Sequence, residues 1–298
     1  MQANKQHTSA LPVICLLVAA TLWGVFWYPL RILEQQGLDG VWASLFIYTG
    51  TLVVAIPIII RRFNELLASP YLIIAIMISS GWCNIAFILA IVEGEIVRVI
   101  LLFFLSPIWA TILARIVLKE ELTLMARATI VLALAGAMTM LWSPEVGYPW
   151  PTSFADWLAL SSGVAFALTN LFTHMAQKTS IPVKTASAWI GVVFVASIII
   201  AVRGNISLEV EASTIYLAFA IGLLLMTLMT FCVVYGVTHM PIHRSAVILI
   251  FEVVAAAISA YLLTSERLNT QEWIGGVIVI VAAYLATQQQ KKETIHAN

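Results

Sequence analysis

The sequence predicts an all-α integral membrane protein of ten transmembrane helices, arranged as two inverted five-helix repeats. Three observations carry that expectation. Hydrophobic residues make up 61% of the 298 and charged residues only 10%, whereas a soluble domain needs about a quarter charged residues to dress its surface. Apolar runs long enough to cross a bilayer recur from one end of the chain to the other. Finally, the stretch 98–123 returns at 244–269 with a constant offset of 146. Arg98 then aligns with Arg244, Ala110 with Ala256, Ile112 with Ile258, Ala114 with Ala260, Glu120 with Glu266 and Leu122 with Leu268. The repeated order is one arginine, about twenty apolar residues, an acidic turn and a further apolar run, as a duplicated membrane protein would show.

Breaks at charges, prolines and glycines place the helices at 11–33, 41–60, 71–92, 97–118, 125–142, 154–177, 184–202, 213–237, 243–263 and 271–288. The connection 143–153 holds three prolines, one glycine and two aromatics, which no helix tolerates. It divides the chain into a tail at 1–10, a first repeat at 11–142, a second repeat at 154–288 and a tail at 289–298. Residues 1–22 resemble a signal peptide, but apolarity continues to Leu33, so they are read as a retained first span.

Orientation follows from the basic residues. With the N-terminus inside, eleven Lys and Arg fall on the inner side and four, Arg31, Arg98, Arg203 and Arg267, on the outer. The positive-inside rule then places both termini in the cytoplasm. Five spans per half give the halves opposite topology, with Arg98 and Arg244 on opposite faces.

Net charge is zero and no basic cluster exceeds two residues, so nothing supports nucleic-acid binding. Cys15, Cys83 and Cys232 sit singly in apolar runs without metal or redox spacing and read as packing residues. No HExxH, GxSxG or phosphate loop is present, and the five histidines are scattered. The expectation is a non-enzyme without cofactor or metal.

Glu252 is the sharpest single signal. It lies about 12 Å from either end of the ninth helix by helical rise, and a mid-bilayer carboxylate costs about 2.5–3.5 kcal/mol on the lenient insertion scale. It is expected to line a substrate or proton path; the alternative is a protonated acid donating one interhelical hydrogen bond. Ser245, Glu252, Ser259 and Glu266 recur every seven residues as one stripe. Ser106 is the equivalent of Glu252 in the first half, and Pro107 beside it kinks the fourth helix, as hinge, cavity wall or simple shaping.

Trp23 and Trp27 on the first helix, Trp82 and Asn84 on the third, Trp109 on the fourth, and Asn170 with Phe166 and His174 on the sixth form polar-aromatic faces. Asn84 and Thr230 coincide under the offset of 146. Such groups read a ligand or tie helices together. Arg98, Arg115 and Arg244 are read as snorkelling or salt-bridged, with Glu93 and Glu95 as partners for Arg98. The functional alternative is a pair of gates, one per face. Glu120, Glu121 and Glu266 favour the N-terminus of the helix that follows each.

At these residues the chain resembles the ten-helix EamA-type branch of the drug/metabolite transporter superfamily. The resemblance rests on Trp23-Gly24, on Ser106-Pro107 with Glu120-Glu121-Leu122-Thr123, and on Phe251-Glu252 with Glu266-Arg267-Leu268. It implies a basket of inverted repeats that exports small metabolites or drugs by alternating access. The chain departs from the family pattern at Lys119 and Ser265, where glycine is common, and at Val253, where proline is. Small residues usually stand where Arg98 and Arg244 do. The expected protein is a secondary transporter of the inner membrane, monomer or homodimer, exporting small polar or zwitterionic, amino-acid-like metabolites with proton coupling. Its substrate would meet Glu252, Trp23, Trp27, Asn84, Trp109, Asn170 and Thr230, with Ser106, Pro107, Arg98 and Arg244 in coupling or gating. The alternatives are broad-specificity drug efflux, suggested by ten tryptophans and nine methionines, an enzyme on lipid-linked substrates, or a non-transporting scaffold.

Overall fold

A computed structural model describes residues 10–120, 122–142, 150–204, 210–264 and 269–296, without the side chains of Val97 and 287–296. Among the described residues every regular element is a helix. Nine helices are long and apolar enough to cross a membrane: Leu11–Gln35, Gly40–Arg61, Pro70–Glu93, Arg98–Val117, Leu124–Leu141, Phe154–Met175, Ile181–Arg203, Ala212–His239 and Ile242–Leu263. A tenth apolar stretch, Thr270–Ala286, is shorter and begins the terminal helix Thr270–His296. They are called the first to tenth spans below.

Local chemistry sets the ends. Asp39 accepts from Val41 N–H at 2.9 Å and Thr123 from Ala126 N–H at 3.1 Å, each satisfying an orphan donor at a helix start. Ser153 and Asp156 form a reciprocal capping box at the sixth span. Pro12, Pro70 and Pro182 sit in the first turn of the first, third and seventh spans, where proline's missing N–H costs nothing. The fourth span ends in a turn that places Lys119 at φ 56°, a left-handed backbone disfavoured by a Cβ.

Three spans are interrupted. The first breaks at Phe26, the fourth between Phe103 and Ser106, and the ninth at Ile250. The halves of the fourth span, Ile96–Phe103 and Ser106–Val117, correspond to Ile242–Leu249 and Phe251–Leu263 of the ninth under the offset of 146, within one residue. At both breaks the ladder tightens to i→i−3 bonds, Ile108 N to Leu105 O at 2.9 Å and Val253 N to Ile250 O at 3.0 Å. Pro107 favours the first break by removing a donor. The ninth span breaks at the same place with Val253 there instead.

The main helix contacts run between the repeats: third with sixth, fifth with tenth, seventh with second and third, first with eighth and ninth. Exchanging the halves turns third with sixth into eighth with first, seventh with third into second with eighth, and first with ninth into sixth with fourth, all of which pack together. Backbones touch where the eighth span crosses the second and where the seventh crosses the third. A Cβ on Gly222 would overlap the Ile47 carbonyl oxygen, and one on Gly191 would overlap that of Met77. Gly222 also opens a π-helical turn, Gly222–Met226, in the eighth span.

Apolar side chains are packed inside and also cover the outside. Leu16, Ile47, Ile76, Ile85 and Leu102 are fully buried, while Val53, Ile60, Leu124, Leu224 and Leu262 are 62–82% exposed. An outward apolar belt of this extent is solvated by acyl chains.

Candidate functional site

A cavity of about 180 Å³ lies where the fourth and ninth spans break. Phe103, Phe104, Ser106 and Pro107 reach it from one repeat; Leu249, Ile250 and Glu252 reach it from the other. Around this centre the third span contributes Cys83, Asn84 and Phe87, the sixth Phe166, Thr169 and Asn170, and the eighth Thr230 and Val233. Trp23, Tyr48 and Trp189 complete the wall from the first, second and seventh spans.

The walls are aromatic. Phe103 meets Phe87 at 4.9 Å and Phe166 at 5.6 Å between ring centres, so three spans present one continuous ring surface. Polar atoms are few, and several are unpartnered. Asn84 donates to Tyr48 OH at 3.3 Å, but its Oδ1 is buried without a partner among the described residues. The buried Thr230 Oγ1 and Trp189 Nε1 also lack one. Glu252, in the first turn after the ninth-span break, is half-buried and makes no hydrogen bond with a described residue. Among the described residues the lining contains no Lys, Arg or His, so Glu252 is its lone ionisable group apart from the Tyr48 phenol and the Cys83 thiol.

Of the residues singled out from sequence, Glu252, Trp23, Asn84, Asn170, Thr230, Ser106 and Pro107 line this cavity. Trp27 and Trp109 do not. Trp27 Nε1 donates to Ser259 Oγ at 2.8 Å, fastening the first span to the ninth, and Trp109 packs with Ala110, Leu171 and Ala246. Helical spacing puts a residue on a face but leaves open which neighbour that face meets. The stripe through Ser245, Glu252 and Ser259 is likewise divided: the break at Ile250 interrupts it, Ser245 caps back on Ile242 O and Ser259 turns to Gly24 O. Cys83, taken as plain packing, borders the cavity. Glu121, Glu266 and 143–149 lie outside the described residues.

Neither Arg98 nor Arg244 lines the cavity. Arg98 Nε meets Asp156 Oδ2 at 2.9 Å and its guanidinium also donates to Trp150 O and Thr152 Oγ1. Its partner is thus across the repeats rather than Glu93 or Glu95, and Glu93 pairs with Arg203 at 2.8 Å. Arg244 is 3% exposed and so does not snorkel. Next to it, His243 Nδ1 meets Glu120 Oε2 at 2.8 Å, and Glu120 also accepts from Ile242 N–H at 3.4 Å. Burial raises the Glu120 carboxyl, but the His243 hydrogen bond and charge, the Ile242 N–H and the charge of His174 outweigh it and hold it below the ordinary carboxylate range. Glu65 bridges the repeats at another loop, accepting from Ser180 N–H at 2.8 Å. That bond, against slight desolvation and aided by Arg62, lowers the Glu65 carboxyl as well.

Tyr48, Phe87, Phe103 and Trp189 escaped sequence reasoning as cavity residues. Nothing separates such aromatics from ordinary core until the spans are packed.

A multi-pass helical bundle with a central cavity between two repeats has the architecture of a membrane transporter. The profile of the EamA-like transporter family matches residues 10–142 and 153–288, and the chain belongs to that family. It is therefore a membrane transporter of the drug/metabolite type. A solved structure described only as "Crystal structure of protein" shares the fold, with a TM-score of 0.72 at 15% identity over 94% of this chain and 98% of its own. Among curated proteins none matches.

Proposed function

We propose that the protein moves a small amine-bearing solute with an apolar or aromatic body, amino-acid-like metabolites among them, outward across the inner membrane by alternating access. The observation that carries this reading is Glu252, an acid that makes no hydrogen bond with a described residue, in an aromatic cavity lacking any basic lining residue among those described. An ammonium group would find there both a carboxylate and ring faces for cation–π contact. The buried, unpartnered oxygens of Asn84 and Thr230 offer hydrogen bonds to the same solute. A carboxylate on the solute would meet only neutral donors, such as the Trp189 indole and the hydroxyls.

In this reading the two five-helix halves are inverted, all ten spans cross the bilayer, and both termini are cytoplasmic. Glu252 exchanges a proton for the solute's amine, so export draws on the proton gradient. The ties Arg98–Asp156 and Glu120–His243 join the repeats at opposite ends of the fourth span and act as the two gates.

The seven aromatic rings of the lining favour a second reading, broad-specificity efflux of lipophilic cations. Proteoliposomes with an imposed pH gradient test both. Wild type should move amines, and Glu252→Gln should abolish both the movement and its pH dependence. Unchanged transport in Glu252→Gln would sink the proposal. Equal transport of bulky lipophilic cations and small amines would favour the second reading.

A further inference from the structure

A second hollow, of about 530 Å³, opens on the outer surface between the second, seventh and eighth spans. One end carries Arg61 and Arg62, the two adjacent basic residues that close the second span. Its walls are apolar: Val54, Pro57 and Ile58 on the second span, Leu224, Leu228 and Phe231 on the eighth. Leu224 is 72% exposed, Leu228 48% and Phe231 39%, so the hollow is open sideways to the surroundings of the bundle.

We propose that this groove binds one anionic phospholipid, with its phosphate on Arg61 and Arg62 and one acyl chain laid between the second and eighth spans. Dimensions agree with that occupant. Val54 to Arg61 and Leu224 to Phe231 are each seven residues, about 10 Å of helix, enough for the upper half of an acyl chain below its headgroup. The side opening lies within the apolar belt, where lipid rather than water is the neighbouring solvent. Arg61 makes no hydrogen bond with a described residue, whereas Arg62 is held by Glu65 at 3.1 Å. The pair therefore offers one free guanidinium and one already positioned, at the level where lipid phosphates sit.

The inner end of the groove is Trp189, which also walls the central cavity. Its ring is buried and its Nε1 unpartnered. The π-helical turn of the eighth span contributes Leu224 to the groove. A chain seated there packs on the ring that separates lipid from solute. This inference does not depend on which solute is moved.

Native mass spectrometry of the full chain released from phosphatidylcholine vesicles doped with phosphatidylglycerol tests it. Wild type should retain phosphatidylglycerol in preference to phosphatidylcholine. Arg61→Gln should lower that preference roughly fivefold, the effect of one arginine near an anionic headgroup, and Arg61→Lys should keep most of it. Leu228→Trp, which fills the groove from an exposed position, should remove retained lipid of either kind. Folding of each variant is checked by circular dichroism and by retention in detergent. Phosphatidylglycerol retention unchanged in both Arg61→Gln and Leu228→Trp would mean ordinary boundary lipid and would overturn the proposal.

Discussion

Asn84 and Thr230 stand at equivalent positions of the two repeats, 146 residues apart, and both line the same cavity with a buried side-chain oxygen that has no hydrogen-bond partner among the described residues. Ser106 and Glu252, separated by the same interval, also border it. The repeat relation thus passes through the cavity, and it is broken there: one half supplies a hydroxyl and the other a carboxylate at the matching place. A solute held between them meets two chemically different sides.

The orphan hydroxyl of Thr230 leads to one prediction. An unmade buried hydrogen bond costs about 1–3 kcal/mol, so Thr230→Val should melt at the same temperature as wild type or slightly above it in the absence of solute. If the solute satisfies that oxygen, its apparent affinity in transport should fall about tenfold. Thermal melts and transport KM on the same preparation check both parts.

Breaking the Arg98–Asp156 tie should be costly. Asp156 is 1% exposed, and removing one partner of a buried pair costs about 3–5 kcal/mol, less where the other side is partly solvated. Arg98→Met is expected to lower stability by roughly 3 kcal/mol. Adding Asp156→Asn should cost less than the sum of the two single changes, measured by a double-mutant cycle in detergent.

Acid should loosen the other tie. Glu120 has its carboxyl lowered in the folded protein, so its stabilising contribution is present above the ordinary carboxylate pKa of 4.5 and is lost as pH falls through the lower folded value. A melting-temperature profile should therefore drop in the acid range. Glu120→Gln should flatten that limb while lowering the plateau at neutral pH.

Lys119 holds a left-handed backbone at φ 56°. Glycine adopts that conformation freely, and a residue with a Cβ pays about 1 kcal/mol to do so. Lys119→Gly should raise the melting temperature, measured by thermal melts in detergent.

The membrane spans were legible in the sequence because a lipid-solvated helix must be apolar over its whole length, a demand that leaves long unbroken runs. Glu252 stood out for the same reason: a charge amid such a run is expensive enough to be conspicuous. Side-chain partners were not legible. Arg98 had Glu93 and Glu95 nearby in the chain, yet it meets Asp156 because the fourth and sixth spans pack together. Trp27 and Trp23 lie one turn apart, and only packing decides that one fastens to Ser259 while the other reaches the cavity. The ninth-span break at Ile250 was hidden too, since Val253 carries no signal for it. Its recurrence opposite the Pro107 break indicates that the packing of the repeats imposes the interruption and that proline only eases it.

The bare crossings of Gly222 on Ile47 and of Gly191 on Met77 divide the chain into places that can drift and places that cannot. Even one methyl group at either crossing would wedge the halves apart, whereas the rings and amides around the hollow are not themselves at the two crossings. A lineage built this way can change its cargo again and again while inheriting the same frame.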